Sequence, residues 1–480
     1  GSEMCIRDRS YARPRVYPSA LGMGLAPSSP NRCPIHNLVR SSPVTAHDHE
    51  AATTFATDLG TFVTESPSSF HAVATVSRTL LEVGYTELHE SESWEGITTG
   101  SRYFVRRDGS IIAFDVPAGT TGTTPLRIFG AHTDSPALKL KPKSSISSHG
   151  FNQVGVEVYG GALFNSFLDR DLKLAGRLVL ASGEEVLVHT GPYLRVPQLA
   201  VHLDRAVNRE GLKLDPQKHL QPITGLTEGG EHDVLADLAE IAGVDPQAIA
   251  GYDIVTVDAQ EPQLIGAREE FLASARLDNL LSTFAGMRAM AELHSTEGAP
   301  IALFVANDHE EVGSASRSGA AGPFLEDVLA RLYTALGASD EERRRALSRS
   351  IVVSSDVGHS IHPNYAERHD PANQPVAGKG PILKINADQR YATDARGAAF
   401  WARACDYADV EYQEFVSNNA MPCGSTIGPI TATRLGMTTV DVGVPLLSMH
   451  SCRELTAVTD PYDLYRAARA VLSPEVPTGF

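Results

Sequence analysis

Asn307-Asp308-His309-Glu310-Glu311-Val312-Gly313 puts two adjacent carboxylates directly after the apolar run Ile301-Ala302-Leu303-Phe304-Val305-Ala306. A run of strand length without alternation suits a strand buried on both faces, as in a parallel sheet. Two like charges at the end of such a strand are costly to bury unless a cation compensates them. Neighbouring side chains on an extended segment point in different directions, so one of the pair can bind a metal while the other faces a water beside it.

The pattern recurs along the chain. Leu126-Arg127-Ile128-Phe129-Gly130-Ala131 runs into His132-Thr133-Asp134, Ile351-Val352-Val353-Ser354-Ser355 runs into Asp356, and the strand-like stretch 438–447 runs into Ser448-Met449-His450. Asp278 falls in the first turn of a helical pattern over 275–294, with Leu277, Leu280, Leu281, Phe284 and Leu293 as its core candidates. In open α/β sheets ligands bind beyond the carboxyl ends of the strands, so the fold rule gathers these five places at one edge. Two imidazoles and several carboxylates without a thiolate suit zinc, manganese or cobalt, whereas magnesium and calcium prefer all-oxygen sites. Two such ions about 3.5–4 Å apart need a bridging carboxylate to screen their repulsion. If Asp278 is shared, each ion takes one histidine and one further carboxylate. Glu310 is then unligated and able to take a proton from a water at the metals. Asp134, two residues past His132, can accept the other ring N–H and fix its tautomer.

The elements that must position these groups alternate between strand and helix. Two helices are expected between residues 49 and 83, broken at Ser66-Pro67, with Ser68-Ser69 as cap of the second. Strands at 103–106 and 111–116 flank Asp108-Gly109, a hairpin signal. From 143 to 268 the chain changes to short alternating strands with frequent Gly and Pro and a helical patch near 233–242. It reads as an inserted, mostly β domain that divides a catalytic domain into a first part, 45–142, and a second, 269–480. Helices are further expected at 389–404 and 461–472, with a short strand at 381–385. The fold class is α/β with a largely parallel central sheet. Residues 1–44 are rich in Arg, Ser and Pro and nearly free of acid, and Ser2 to Ser10 resembles a translated sequencing-adapter fragment. They read as a disordered leader foreign to the fold, with an organelle transit peptide as the second reading.

Composition narrows the partners. A net charge of -17 argues against a nucleic-acid backbone and requires a local positive pocket for any anionic substrate. No apolar run approaches the roughly 18 residues of a membrane helix. Five scattered cysteines without a C-x-x-C pair suit a reducing compartment, and the cytoplasm is the expected location.

Gly130-Ala131-His132-Thr133-Asp134-Ser135-Pro136, Arg276-Leu277-Asp278-Asn279, Asp308-His309-Glu310-Glu311-Val312-Gly313, Asp356-Val357-Gly358-His359-Ser360-Ile361-His362-Pro363-Asn364-Tyr365 and Ser448-Met449-His450-Ser451-Cys452-Arg453-Glu454 resemble the motifs of the aspartyl aminopeptidases, the M18 metallopeptidases. Gln389-Arg390-Tyr391-Ala392-Thr393 and Pro422-Cys423-Gly424-Ser425-Thr426-Ile427-Gly428-Pro429 match as well, so the resemblance runs from about residue 50 to the end. It implies two divalent ions, zinc before manganese or cobalt. One would be held by His132 and Asp356, the other by Glu311 and His450, with Asp278 bridging. Glu310 would be the general base and Asp134 would orient His132. Lys384 falls where the family places a lysine that reads an acidic substrate side chain. His202 falls where the family sends a histidine from the inserted domain into a neighbouring subunit's active site. The family forms dimers through that domain, and the dimers build a dodecamer. One departure stands out: in the segment Gly160 to Arg170 the tryptophans expected from the family are replaced.

The activity implied is removal of an N-terminal Asp or Glu from peptides. Two alternatives share the motifs. A related co-catalytic metallohydrolase, such as a neutral aminopeptidase or an amide deacylase, would use the same cluster with a different pocket. A non-catalytic assembly protein would keep the fold, but every expected ligand and Glu310 are present.

Overall fold

The computed structural model describes residues 46–230 and 232–479. The expected leader, residues 1–44, lies outside the described residues. A nine-stranded mixed sheet forms the centre of the fold, and its strands run in the order 86–87, 101–107, 110–116, 301–307, 126–132, 351–355, 438–443, 382–385 and 413–416. The four middle strands, Ile301–Asn307, Leu126–His132, Ile351–Ser355 and Thr438–Gly443, are mutually parallel. The hairpin of Ser101–Arg107 and Ser110–Val116 turns at Asp108-Gly109 and pairs antiparallel on one side.

The uninterrupted apolar runs are explained by burial on both faces. Phe129, Phe304 and Val353 face helices Ala46–Glu65, Leu277–Ala291, Ala395–Ala408 and Thr459–Leu472, while their neighbours Ile128, Leu303 and Val352 face helix Phe324–Ala335. Burying each such side chain contributes about 1.5–3 kcal/mol, which offsets the entropy of ordering the strands. The helices start where local chemistry directs. Ser68 accepts the His71 N–H at the start of Ser69–Glu82, and Asp394 accepts the Gly397 N–H at 2.8 Å. That second cap moves the helix expected at 389–404 to Ala395–Ala408, because a residue whose side chain bonds the first free N–H has left the helical conformation.

A second sheet of seven antiparallel strands is built from residues 137–258. Its last strand, Ile249–Asp258, pairs with both Ala137–Ser148 and Asp171–Leu180, so the sheet closes on itself around its own core of Leu138, Leu140, Leu172, Leu178, Val188 and Ile254. The boundary expected between 142 and 143 falls inside strand Ala137–Ser148. The stretch 438–447 is two strands rather than one. Thr438–Gly443 belongs to the central sheet, and Pro445–Leu447 belongs to a third, five-stranded sheet. Among the described residues no helix is long and apolar enough to cross a membrane.

Candidate metal centre

Adjacent parallel strands deliver their last residues to one place. His132 ends Leu126–His132, Asn307 lies in register beside it and leads to Asp308, Glu310 and Glu311, and Ser355 on the other side leads to Asp356. His450 follows Pro445–Leu447. Asp278 is not helical: its φ of -82° and ψ of 101° hold it extended, and the regular helix starts beyond Asn279. The Asn279 amide donates to the Ser355 carbonyl at 2.8 Å, which ties this entry to the strand that ends at Asp356.

The ring orientations are set by carbonyls. His132 Nδ1 lies 3.1 Å from the Asp134 carbonyl and His450 Nδ1 lies 3.1 Å from the Gly161 carbonyl. A carbonyl oxygen only accepts, so each Nδ1 carries hydrogen and each neutral ring turns the lone pair of Nε2 inward. His132 Nε2 faces Asp278 Oδ1 at 3.2 Å and Asp356 Oδ1 at 3.5 Å. His450 Nε2 faces Asp278 Oδ2 at 3.3 Å and Glu311 Oε2 at 3.5 Å. Lone pairs aimed at carboxylate oxygens repel unless a cation lies between them. Asp278 Oδ1 and Glu311 Oε1 are buried without a hydrogen-bond donor. The edges of a tetrahedron with metal–ligand bonds of 2.0–2.1 Å are about 3.3–3.4 Å long, which matches these spacings. The two oxygens of Asp278 point to different histidines, so the donors fit two divalent ions sharing that carboxylate. Among the described residues His132, Asp278 and Asp356 form one group of donors, Asp278, Glu311 and His450 another, and Glu310 lies within reach of a third with His132 and Glu311.

Protonation in the absence of an ion shows the same charge frustration. Burial pulls His132 down, but Asp134, Asp278 and Asp356 together hold it well above the usual imidazole value. His450 is pushed up to about 9, its burial outweighed by Asp278 and Glu454. Burial pushes Glu310 up to about 8, with Asp356, Asp134 and Asp278 adding to it against the pull of His132. Burial and Asp278 push Glu311 well above its ordinary value. Burial pushes Asp278 up, but the two histidines facing its oxygens outweigh that and hold it below the usual range.

The turn carrying Glu310 and Glu311 hangs on Asp134. His309 enters it with a left-handed φ of 64°, and the N–H groups of Glu310 and Glu311 donate to Asp134 Oδ1 and Oδ2, each at 3.1 Å. The Asp134 carboxylate therefore binds the turn, staying 3.4 Å from His132 Nδ1, while its main-chain carbonyl takes the ring N–H. Glu454, part of a quoted motif but given no role by the sequence, accepts the Asp278 N–H at 2.9 Å and the His450 N–H at 2.8 Å. Tyr159 donates its hydroxyl to Asp134 Oδ2 at 2.8 Å. A tyrosine at the end of an alternating strand carries no sequence signal of that contact.

Of the remaining two expected site residues, Lys384 borders the cluster and His202 is in none of its donor groups. Lys384 is buried, donates to the Val357 carbonyl at 2.8 Å and lies 3.8 Å from Asp356 Oδ2, with its ammonium over the Tyr391 ring. His202 is exposed on a turn and belongs to none of the donor groups among the described residues.

Residues 62–471 match the family model described as aminopeptidase I zinc metalloprotease (M18). A protein of Streptomyces coelicolor carrying the name "Probable M18 family aminopeptidase 2" is 50% identical over 422 residues, covering 87% of this chain and 97% of that protein. A chain from a cryo-EM structure of an Ape4 and Nbr1 complex superposes with a TM-score of 0.85 at 36% identity, covering 88% of this chain and 86% of its own. A chain of the S. cerevisiae mApe1 dodecamer superposes with a TM-score of 0.76 at 27% identity, covering 88% and 96%.

Proposed function

We propose that this chain, which belongs to the M18 family of zinc metallo-aminopeptidases, removes acidic residues from the N-termini of peptides at a centre of two divalent ions. The observation that carries the reading is the pair of inward-facing histidine nitrogens sharing the two oxygens of one buried carboxylate, Asp278. His132 and Asp356 would hold one ion, Glu311 and His450 the other, with Asp278 between them. Zinc suits this nitrogen and oxygen set, and manganese or cobalt would also fit. When bound, the ions supply Lewis-acid charge that polarises the scissile carbonyl and makes a water nucleophilic near neutral pH. Glu310 takes the proton of the attacking water and delivers it to the leaving amine nitrogen, as the amide C–N bond breaks. Asp134 holds Glu310 and Glu311 in place through their N–H groups.

Acidic specificity is assigned to Lys384, a buried cation beside the centre in an otherwise acidic protein. Its contact with Asp356 supports a second role, securing that ligand. His202 would enter a neighbouring copy's site within a homo-oligomer built from dimers. Leu199, Val201 and Leu203 around it are 59%, 48% and 75% exposed, an apolar display that suits an interface. The dodecamer of the yeast relative supports the same assembly here.

Reporters with N-terminal Asp, Glu, Leu and Lys, each with and without a chelator, test the reading. Cleavage of Asp and Glu that the chelator abolishes is expected. Preference for Leu would favour a neutral aminopeptidase, and turnover that survives metal removal would refute the mechanism.

A further inference from the structure

The second sheet reaches directly into the candidate centre. Strand Phe151–Tyr159 ends in the hydroxyl that donates to Asp134 Oδ2, the same oxygen that receives the Glu311 N–H. The next two residues are glycines packed against ligands. A Cβ on Gly160 would lie 3.1 Å from Glu311 Cβ, and one on Gly161 would lie 3.0 Å from His450 Nδ1. The Gly161 carbonyl orients the His450 ring. Leu163 donates its N–H to the His450 carbonyl at 3.0 Å, and Ser166 Oγ receives the Cys452 N–H at 2.8 Å. The contacts of Gly160, Gly161, Leu163 and Ser166 fall on Glu311, on His450 or on the segments carrying them, and Tyr159 reaches Glu311 through the Asp134 oxygen that both of them bond.

The other position has a different support. The His132 carbonyl accepts from Thr283 Oγ1 at 2.7 Å, Asn279 is tied to the Ser355 carbonyl, and Asp356 follows a central strand. These anchors belong to the central sheet and its helix. The histidines differ in exposure in the same sense, the His132 side chain at 1% and that of His450 at 33%, whereas the carboxylates do not, Asp356 at 12% and Glu311 at 4%.

We propose that Tyr159 and Gly160-Gly161 are positioning residues of the peptidase centre, which hold the Glu311/His450 metal position and leave the His132/Asp356 position to the central sheet. The two ions then differ in affinity, and the one resting on the inserted layer leaves first. Hydrogen-bonded partners that orient metal ligands are worth about 10–100-fold in affinity.

Two conservative variants test this. Tyr159→Phe removes one oxygen and keeps the ring. Gly161→Ala adds one carbon against His450 at a residue whose φ is not left-handed. Zinc-loaded full-length protein and both variants are dialysed against a graded chelator series. Ions per chain are counted by mass spectrometry, and the ion that remains is located by anomalous scattering at the zinc edge. Each variant is expected to lose one ion at a chelator activity about tenfold or more below that required by wild type, with the survivor at His132 and Asp356. Tyr252→Phe, whose hydroxyl donates to the Lys141 carbonyl within the same sheet, should behave as wild type. Loss from both positions together, loss of neither, or the same loss in Tyr252→Phe would overturn the inference. The inference rests on the two-ion reading, and a wild-type chain that takes up fewer than two ions would overturn both.

Discussion

Stripping the metals should make the stability of this protein fall as pH rises. Glu310 and Glu454 are pushed up to about 8 and His450 to about 9 in the ion-free fold. A group whose folded pKa is raised contributes stability that is fully present below its unfolded pKa and is lost as pH rises through the folded value. The windows therefore run from about 4.5 to 8 for the two glutamates and from about 6.5 to 9 for His450, and all three have the same sign. Asp278 and Asp134 are held low, so their contributions change only in acid and leave this window untouched. At pH 7 each glutamate keeps about 0.9 of a proton that the unfolded chain lacks, and His450, a third exposed, adds less. About two excess protons correspond to about 2.7 kcal/mol per pH unit. An unfolding entropy of about 2 cal/mol/K per residue makes each kcal/mol worth about 1 °C in a fold of this length. Differential scanning fluorimetry should show Tm falling by about 3 °C per unit around pH 7 after chelator treatment, and less steeply towards pH 9 as these groups lose their protons. With zinc bound the ions replace those protons, so the loaded curve should be shallower, keeping the slope of groups outside the cluster such as Asp460, which burial pushes up to about 8, and the gap should widen towards alkaline pH. Parallel curves for loaded and stripped protein would refute the idea that divalent ions and protons compete for one buried cluster.

Glu310→Gln should keep both ions, counted by mass spectrometry, and lower kcat by about 10²–10⁴-fold, because the amide cannot accept the proton; loss of an ion would contradict its unligated role. Lys384→Ala should lower kcat/KM for an N-terminal Asp reporter at least about tenfold against Leu if the lysine reads the substrate. An unchanged Asp-to-Leu ratio with weakened zinc retention would identify it as a support for Asp356. Gly286→Ala should lower Tm although alanine is the better helix former, since its Cβ would press on Phe304 and lie 2.9 Å from Phe129 Cδ1. Overpacking of about 1–3 kcal/mol exceeds the helix gain of up to about 1 kcal/mol, and a rise in Tm would mean that the two rings can yield.

The central sheet was legible because its strands are apolar on both faces and end abruptly. Ala131-His132, Ala306-Asn307-Asp308 and Ser355-Asp356 mark the change from core to rim in the residue types themselves. The entry of Asp278 was not legible, since Leu277, Leu280, Leu281 and Phe284 continue a helical period straight through a residue whose backbone is extended. Asp394 was hidden in the same way, as a cap inside an apparent helix. The break at 444 depended on which sheet each half joins, a tertiary outcome. Asp134 was singled out from its spacing to His132, but the use of its carboxylate required the Glu310 turn to fold over it. Tyr159 meets Asp134 only because the second sheet packs there.

The parallel order of the middle strands has a consequence for the chain as it is made. Strand Leu126–His132 must wait for Ile301–Asn307 and Ile351–Ser355 before either of its edges is paired, and His450 arrives later still. Contacts of such long sequence separation form slowly. A growing polypeptide that has not yet reached residue 450 lacks one of the two imidazoles, so the donor group of Asp278, Glu311 and His450 can form only once that segment has been made.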